Sequence, residues 1–252
     1  MRITFIGGGN LATALIGGLT GQGASTAVIS VIEPVAAQRD MLRTRFGARC
    51  FEAADPAAFD ADVLVMAVKP QQMREAAQAC APWVAQQLVI SVAAGIRIPD
   101  LQRWLGGHPK IIRAMPNTPA LIGLGVSGLY ASPAAADHDR AVADSILGSV
   151  GQTVWVNDEA LIDAVTAVSG SGPAYVFRFI EAIEQAGIRL GLSAADARAL
   201  TIATFRGAAE LAARSDEPPA TLRERVTSRG GTTAAALAVM EQGSLGDLLE
   251  RA

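Results

Sequence analysis

Apolar positions follow two alternating patterns through the first 157 residues. Short apolar runs rich in β-branched residues predict strands at Ile3–Ile6, Val28–Ile32, Val63–Val68, Leu88–Val92, Ile111–Arg113, Val126–Tyr130 and Thr153–Val156. Stretches with an apolar residue every three or four positions predict helices at Leu11–Leu19, Ala36–Phe46, Gln71–Ala85 and Asp137–Val150. Strand followed by helix, repeated, predicts an α/β fold with βαβ units and a parallel sheet covered on both faces.

The pattern changes after Asn157, beyond which no strand is predicted. Helical spacing instead predicts helices at Ala160–Val168, Pro173–Leu190, Ala194–Ala213 and Thr233–Met240, with a loop at Ser215–Pro219. We therefore predict two domains, residues 1–157 and residues 158–252. Because short all-helical domains often complete their core against a second subunit, we expect the second domain to self-associate.

Composition narrows the class of protein. Of the 252 residues, 50% are hydrophobic and 18% are charged, which is typical of a folded globular chain. The formal net charge of −3 comes without a Lys/Arg cluster, so we expect no nucleic-acid partner and no membrane partner. With no recognisable targeting or membrane-spanning segment, a cytoplasmic location is expected. Cys50 and Cys80 lack the spacing of a disulfide framework or a metal site, and no metal is expected.

A glycine-rich turn joins the first predicted strand to the first predicted helix. Gly7, Gly9 and Ala12 fit the pattern G-x-G-x-x-A. In that pattern the first glycine permits the tight turn, the second lets a pyrophosphate approach the backbone, and the third small residue keeps helix and strand close. The position indicates a Rossmann-type, doubly wound sheet that binds a dinucleotide at a helix N-terminus. The alternative is a tight strand-to-helix turn without a ligand.

An acidic residue ends the second predicted strand. Glu33 follows the glycines by about 20 residues, the position at which an acid binds the adenosine ribose and repels a 2′-phosphate. This favours NADH over NADPH. The alternative is a glutamate that only caps the next helix. Arg39 and Arg43 lie further along that helix and offer a competing site for a 2′-phosphate.

Three further segments follow predicted strands at the edge where doubly wound sheets bind ligands. They are "MAVKP" (Met66–Pro70), "SVAAG" (Ser91–Gly95) and "IRAMPNTPA" (Ile112–Ala120). Lys69, in the first, is one of only two lysines in a chain with nineteen arginines. The small residues would let a flat ring lie against the backbone, so the segments predict a pocket rim. A solvated cation at a strand end is the other interpretation of Lys69.

Two motifs stand out in the helical part. "VTSRGGTTAAALAVME" (residues 226–241) places glycines and hydroxyls before a helix, where main-chain amides and O–H donors can bind a carboxylate. Ordinary N-capping by Thr232 or Thr233 is the alternative. "SGSGPAYVF" (Ser169–Phe177) joins two helices, with Gly172 predicted to end one and Pro173 to open the next. A purely structural hinge is the competing interpretation of this second motif.

Taken in order, six segments resemble the pyrroline-5-carboxylate reductase family, whose members make L-proline in the last biosynthetic step. They are "IGGGNLATALIGGL", "AVKPQ", "SVAAGI", "IRAMPNTPA", "SGSGPAYVF" and "VTSRGGTTAAAL", and they cover nearly the whole chain. The resemblance implies an N-terminal Rossmann domain and a C-terminal all-helical dimerisation domain. It also implies a cytoplasmic oxidoreductase that transfers hydride from NAD(P)H to the C=N carbon of 1-pyrroline-5-carboxylate.

The resemblance assigns roles to particular residues. The cofactor pyrophosphate would be held by Ile6, Gly7, Gly8, Gly9, Asn10 and Leu11. The nicotinamide end would be lined by Ala67, Val68, Lys69, Pro70, Ala93, Ala94 and Gly95, with Asn117 nearby. The substrate carboxylate would be gripped by Ser228, Gly230, Gly231, Thr232 and Thr233. Thr233 would also hydrogen-bond the ring nitrogen, which makes it the catalytic residue.

The resemblance also implies an intertwined homodimer, or a ring of dimers. In it, each active site would be completed by the loop Ser228–Thr233, here called the hydroxyl loop, of a neighbouring subunit. Most members accept NADPH well, and Glu33 departs from the polar or basic residue often found at its position. The cofactor is therefore NAD(P)H, with NADH weakly favoured.

The residue inventory agrees with imine reduction. Hydride transfer to a C=N bond needs positioning and a proton donor, but no nucleophile and no metal. Both histidines, His108 and His138, lie outside every motif, which leaves a threonine hydroxyl with water behind it as the donor.

Other functions stay open at this point. A β-hydroxyacid dehydrogenase would use a lysine of the helical domain, and none follows Lys110. A methyltransferase shares the glycine-rich turn but does not fit the hydroxyl loop. A reductase of a six-membered cyclic imine, and a non-catalytic protein that senses a dinucleotide, are the remaining alternatives.

Overall fold

The computed structural model describes residues 1–21 and 29–252. Val28, predicted to open the second strand, lies outside these ranges. The chain divides into two compact units, residues 1–175 and residues 176–252. The domain boundary predicted near residue 157 stays a prediction.

The first unit is built around one sheet. Its strands in the described ranges are β1 (Ile3–Ile6), β2 (Ile29–Ile32), β3 (Arg49–Phe51), β4 (Val63–Met66), β5 (Leu88–Ser91), β6 (Ile111–Met115), β7 (Gly125–Ala131) and β8 (Gly151–Trp155). They lie in the order β3-β2-β1-β4-β5-β6-β7-β8. Strands β1, β2, β4 and β5 are buried at every position, as apolar strands covered on both faces should be.

The helices follow the predicted pattern, with additions. In the first unit they are α1 (Asn10–Gly21), α2 (Ala36–Phe46), α3 (Pro70–Cys80), α4 (Ile98–Trp104), α5 (Asp137–Gly148) and α6 (Leu161–Val165). The chain continues with α7 (Gly172–Arg189), α8 (Ala194–Ala213), α9 (Pro219–Arg225), α10 (Thr232–Gln242) and α11 (Leu245–Arg251). Every element after Asn157 is helical, as predicted. Among the described residues, no helix is both long and apolar enough to cross a membrane.

Two apolar clusters cover the two faces of the sheet, which is the doubly wound arrangement. One cluster brings Leu15 of α1, Leu42 of α2 and Ile146 of α5 against the sheet. The other brings Met73 of α3 and Leu101 of α4 against the opposite face. Because the strand order reverses between β1 and β4, the fold opens a crevice at the carboxyl ends of these two strands.

The sheet is parallel, as predicted, except for one pair of strands. Strand β7 runs antiparallel to β6, while β8 runs parallel to β7. The connection from β6 to β7 contains only a 3₁₀ turn, Thr118–Ile122, and a parallel return needs a crossover of a dozen residues or more. The short connection therefore turns the chain back, and α5 supplies the crossover that makes β8 parallel to β7.

The "SGSGP" segment also differs from its prediction. Residues Thr166–Gly170 form a π-helical turn directly after α6, and the amide of Ser171 donates to the carbonyl of Thr166 at 2.8 Å. Gly172 begins α7 and does not end the preceding helix. Such π turns are frequent at functional sites.

The second unit buries little of itself. Within residues 176–252, all described, the buried residues are Ala197 and Thr201. Large apolar side chains are exposed along its helices, including Phe177, Leu190, Leu211, Val226 and Val239. A helical unit with this much exposed apolar surface requires a further partner surface to complete its core.

Candidate functional site

The predicted cofactor segments meet at the carboxyl edge of the sheet. The amide of Gly7 donates to the carbonyl of Ile32 at 2.8 Å, and the amide of Ala67 donates to the carbonyl of Ile6 at 2.8 Å. The ladder therefore continues one residue past each strand and fixes these segments side by side. Residues 92–95 follow β5 at the same edge, because β4 and β5 are parallel.

The glycine turn has the geometry that its pattern predicts. Gly7 adopts φ +98°, and a Cβ atom there would lie 2.9 Å from Cγ1 of Val68. Only glycine fits this position without strain. Around Gly9, by contrast, a Cβ atom would meet open space, and Ala12 is fully buried beneath the turn.

A cavity of about 510 Å³ opens beside this turn. Its lining includes Gly7, Gly9, Glu33, Ala67, Val68 and Lys69. Helix α1 begins at Asn10, so its first amides, which have no acceptor within the helix, lie at the edge of the cavity with the positive end of the helix dipole. Main-chain donors around an open glycine form a cradle that suits a pyrophosphate.

Glu33 is buried, and both of its carboxylate oxygens are engaged by the backbone. Oε2 accepts the amide of Gly8 at 2.8 Å, and Oε1 accepts the amide of Val35 at 2.9 Å. The alternative of a simple helix cap therefore accounts for one oxygen only. The other oxygen reaches into the glycine turn, and the side chain also lines the cavity.

The two arginines considered for a 2′-phosphate are committed elsewhere. The Nη1 atom of Arg39 donates to the carbonyls of Glu33 and Pro34 at 2.8 and 2.7 Å. Its Nη2 atom pairs with Glu52 at 3.1 Å, and its side chain is only 11% exposed. Arg43 pairs with Asp40 on the exposed side of α2. These contacts leave Glu33 and Glu52 as the charged residues of the cavity lining at the carboxyl ends of β2 and β3.

The other predicted nicotinamide residues form turns at the sheet edge. Pro70 opens α3 at its first turn, where its missing N–H costs nothing. Ala93 is buried, whereas Ala94 and Gly95 are exposed in the turn before α4, and Gly95 adopts φ +74°.

Asn117 lies at the carboxyl end of β6 and bonds to protein groups on both sides of its amide. Its Oδ1 atom accepts the amide of Val126 at 2.9 Å, and its Nδ2 atom donates to the carbonyl of Ser169 at 3.2 Å. Asn117 thus joins β7 to the π turn, a structural task that the sequence did not predict.

A buried ionic network surrounds Arg113, and the sequence analysis did not predict it. Arg113 of β6 is 1% exposed, and its guanidinium lies 3.3 Å from Glu159 and 3.4 Å from Asp163. Glu159 also accepts the amide of Ile98 at 2.7 Å, and Asp163 also pairs with Arg97 at 3.1 Å. The available signal was a cation inside an apolar strand, which requires a counter-charge when buried.

The hydroxyl loop lies in the second unit and has an open helix start. The N-cap of α10 is Gly231, without a side-chain cap, so capping by Thr232 or Thr233 is wrong. Gly230 adopts φ +72°, and the amide of Gly231 donates to the carbonyl of Ser228 at 3.0 Å. Both threonines are exposed. The first amides of α10 and the two hydroxyls are therefore available to an anion.

Burial shifts two titratable groups in the first unit. It raises the pKa of the Cys80 thiol, on the cavity lining, to about 12, so this thiol stays protonated. It also lowers the pKa of His108, whose Nε2 atom lies 3.1 Å from the carbonyl of Lys110. His108 lies at the amino end of β6, at the sheet edge opposite the cavity.

Comparisons with known proteins agree with this geometry. Residues 159–252 match the family model described as pyrroline-5-carboxylate reductase dimerisation, and residues 2–95 match the model described as NADP oxidoreductase, coenzyme F420-dependent. The chain is 47% identical to the pyrroline-5-carboxylate reductase of Pseudomonas aeruginosa, over 100% of this chain and 92% of that protein.

Two solved structures extend the comparison. A pyrroline-5-carboxylate reductase from Coxiella burnetii aligns with a TM-score of 0.94 at 38% identity, covering 99% of this chain and 93% of the other. The pyrroline carboxylate reductase of Plasmodium falciparum, solved with NADP bound, aligns with a TM-score of 0.88 at 28% identity, covering 100% and 93%. The resemblance drawn from the six motifs is confirmed, and the chain belongs to the pyrroline-5-carboxylate reductase family.

Proposed function

We propose that this chain catalyses the last step of proline biosynthesis, the NAD(P)H-dependent reduction of 1-pyrroline-5-carboxylate to L-proline. The observation that carries the proposal is the glycine turn. It combines Gly7 at a positive φ that suits glycine, an open Gly9 and a helix start at the edge of a cavity of about 510 Å³, in a chain of this family.

The residues of the turn fit a dinucleotide. Gly9, Asn10 and Leu11 would hold the pyrophosphate through main-chain amides at the start of α1. Ile6, Gly7 and Gly8 would contribute through the shape of the turn, because Ile6 lies in β1 and the amides of Gly7 and Gly8 already bond to Ile32 and Glu33. Lys69 and the segments 67–70 and 93–95, with Asn117, would surround the nicotinamide. When bound, the reduced nicotinamide supplies the hydride.

NADH is the cofactor that the charges favour. Three carboxylates, Glu33, Glu52 and Glu75, line the cavity against one lysine, Lys69. Glu33 and Glu52 follow β2 and β3, where the adenosine would lie, and Arg39 is occupied by backbone carbonyls and Glu52. A 2′-phosphate placed there would meet carboxylates without a free guanidinium, which costs binding free energy.

The hydroxyl loop would bind the substrate. Ser228, Gly230, Gly231 and Thr232 would hold the carboxylate at the positive end of α10. Thr233 would hydrogen-bond the ring nitrogen, which takes a proton relayed from water as the C=N carbon takes the hydride. This step needs no metal ion, because the hydride and the proton both have a source.

Self-association is part of the proposal. The family model that covers residues 159–252 describes a dimerisation region, and the exposed apolar side chains of the second unit need cover. We infer a homodimer in which one subunit lends its hydroxyl loop to the other, and a ring of dimers as the larger form. The functional boundary would lie near residue 157, and the expected location is the cytoplasm.

The experiment measures oxidation of the reduced nicotinamide by absorbance, with the purified chain, NADH or NADPH, and 1-pyrroline-5-carboxylate. Substrate-dependent oxidation with formation of L-proline is the expected result. The six-membered homologue of the substrate serves as the control, and it should react at a lower kcat/KM. Preference for that homologue would make the chain a different imine reductase. Cofactor binding without turnover of either imine would favour a sensor.

A further inference from the structure

The backbone N–H and the backbone C=O of Gly8 are both hydrogen-bonded by side chains from elsewhere in the first unit. Its amide donates to Oε2 of Glu33 at 2.8 Å, as described above. Its carbonyl accepts Nε2 of Gln38, and it lies 3.3 Å from Oγ1 of Thr13. The middle residue of the glycine turn is therefore fixed through both its backbone donor and its backbone acceptor.

The side chain of Gln38 does not make the hydrogen bond that is common at its position in a helix. It is the third residue of the helix, where a glutamine or glutamate commonly reaches back to the N-cap amide. Here the N-cap amide, Val35 N, is taken by Glu33, so the Gln38 side chain is released from capping. It crosses to the glycine turn, where Nε2 also lies 3.4 Å from Oγ1 of Thr13.

The consequence is a turn shaped before any ligand arrives. A Gly-rich segment has more backbone freedom than any other, and ordering it on binding costs free energy. Hydrogen bonds to the N–H and to the C=O of Gly8 fix the two peptide groups on either side of its Cα, and so remove that freedom in the free protein. The amides that follow, from Gly9 into α1, are then fixed toward the cavity, which lowers the cost of binding.

We propose that Gln38 is a positioning residue for the dinucleotide pyrophosphate, acting through the Gly8 carbonyl, and that it sets affinity for NADH and NADPH alike. The inference rests on the proposed function, because it needs a dinucleotide in the cavity. It gives different roles to Gln38 and Glu33, the two side chains that bond to the backbone of Gly8. Gln38 would shape the turn that both cofactors share, whereas Glu33 would also decide between them.

The test is calorimetric titration of the full chain with NADH and with NADPH, in three variants. Gln38→Ala should weaken both cofactors by the same factor, about 3- to 10-fold, the value of one neutral hydrogen bond. Gln38→Glu should weaken both at least as much, because its carboxylate faces the Gly8 carbonyl. Glutamate is favourable in the first turn of a helix, so this loss would not come from a weakened α2. Gln78→Ala, at an exposed position of α3, is the matched control and should bind normally.

A second measurement reports on the turn without cofactor. Hydrogen exchange of the amides of residues 9–11 in the free protein should be faster in Gln38→Ala than in the Gln78→Ala control. KM for the imine at saturating cofactor should be unchanged. Equal affinity of Gln38→Ala and the unmodified chain for both cofactors would overturn the inference, as would a change confined to one cofactor. If the unmodified chain bound neither dinucleotide, the proposed function itself would fail.

Discussion

Glu159 approaches the buried guanidinium of Arg113 to 3.3 Å and at the same time accepts the amide of Ile98 at 2.7 Å. One carboxylate thereby joins β6, the start of α4 and the segment that leads into α6. The turn before α4 contains residues 93–95, which the family resemblance places beside the nicotinamide. The ion pair therefore fixes a predicted cofactor segment relative to the neighbouring strand.

Removing this carboxylate should destabilise the protein. In Glu159→Ala, Arg113 keeps only Asp163 as a counter-charge, and the amide of Ile98 loses its acceptor. We expect a loss of about 2 kcal/mol in the free energy of unfolding. This is less than the loss from breaking a fully buried ion pair, because Glu159 is partly exposed. Urea denaturation at a fixed protein concentration measures it. Glu181→Ala removes an exposed pair with Arg178 and should change the free energy by less than about 0.5 kcal/mol. Equal losses in the two variants would contradict the assignment.

Replacing Glu33 should alter the choice of cofactor. Glu33→Ser removes the carboxylate that we propose faces the adenosine ribose, and the ratio of kcat/KM for NADPH to that for NADH should rise about 10-fold, or about 1.4 kcal/mol. Steady-state kinetics with both cofactors give this ratio. Glu33→Gln keeps an acceptor for Gly8 while removing the charge, and should shift the ratio the same way. An unchanged ratio in both variants would restrict Glu33 to its backbone contacts.

Loss of the Thr233 hydroxyl should slow the reaction. Thr233→Ala is expected to lower kcat/KM for the imine by about 10- to 100-fold, or roughly 1.4–2.7 kcal/mol. Thr233→Ser restores a hydroxyl and should recover most of the loss. Cofactor affinity should be unchanged in both variants. Normal kinetics in Thr233→Ala would remove this residue from the chemistry.

His108 should make the fold sensitive to acid. Burial lowers its pKa below the ordinary value of 6.5, so the unfolded chain takes up a proton that the folded chain refuses. The stabilisation from neutral His108 is complete above about pH 6.5 and is lost as the pH falls from there toward the folded pKa, with a slope of at most about 1.4 kcal/mol per pH unit. Unfolding free energies between about pH 8 and pH 5 measure the slope. His108→Gln should flatten it, whereas His138→Asn, at an exposed position, should not. An unchanged slope in His108→Gln would assign the acid sensitivity to other groups.

A charge on the exposed apolar surface of the second unit should disrupt self-association. Phe177 of α7 is 64% exposed in the single chain. Phe177→Glu should weaken the subunit contact by about 100-fold, because a carboxylate would be buried without a partner. Light scattering coupled to size-exclusion chromatography would then detect monomer at low concentration. Phe177→Leu keeps an apolar side chain and should remain associated. A monomeric unmodified chain would argue against the dimer.

Most elements of the fold were predictable because periodicity marks them directly. The bounds of α2 and α8 match the predicted residues, since their apolar spacing ends at clear stop signals. Strand β3, only Arg49–Phe51, escaped prediction because three residues on a sheet edge carry no alternation. The seven-residue helices α4, α9 and α11 are too short for a periodic signal. The direction of β7 depends on a pairing partner, which a local pattern cannot specify.

In the candidate site, too, features set by local spacing were predictable from the sequence, whereas contacts between distant segments were not. The glycine turn and the open start of α10 follow from residue types at fixed local spacing, and the sequence predicted both. The bonds from Gln38 to Gly8 and from Arg113 to Glu159 join residues 30 and 46 positions apart. Such contacts arise only when the sheet brings distant segments together. No spacing rule predicts such contacts, although a lone arginine in an apolar strand indicates that a counter-charge must lie nearby.

The poorly buried helices from Val176 onward have a consequence for how the protein matures. Residues 1–175 possess a core of their own, whereas the later helices, in the proposed dimer, would gain theirs from contact with a second subunit. By mass action, the stability of that half rises with the amount of protein in the cell. Newly made chains would expose apolar helices until they pair with a second subunit. Dilution or slow synthesis would prolong this unpaired state, in which proteases and chaperones act on the chain. Degradation would therefore depend more on the rate of pairing than on the stability of the sheet.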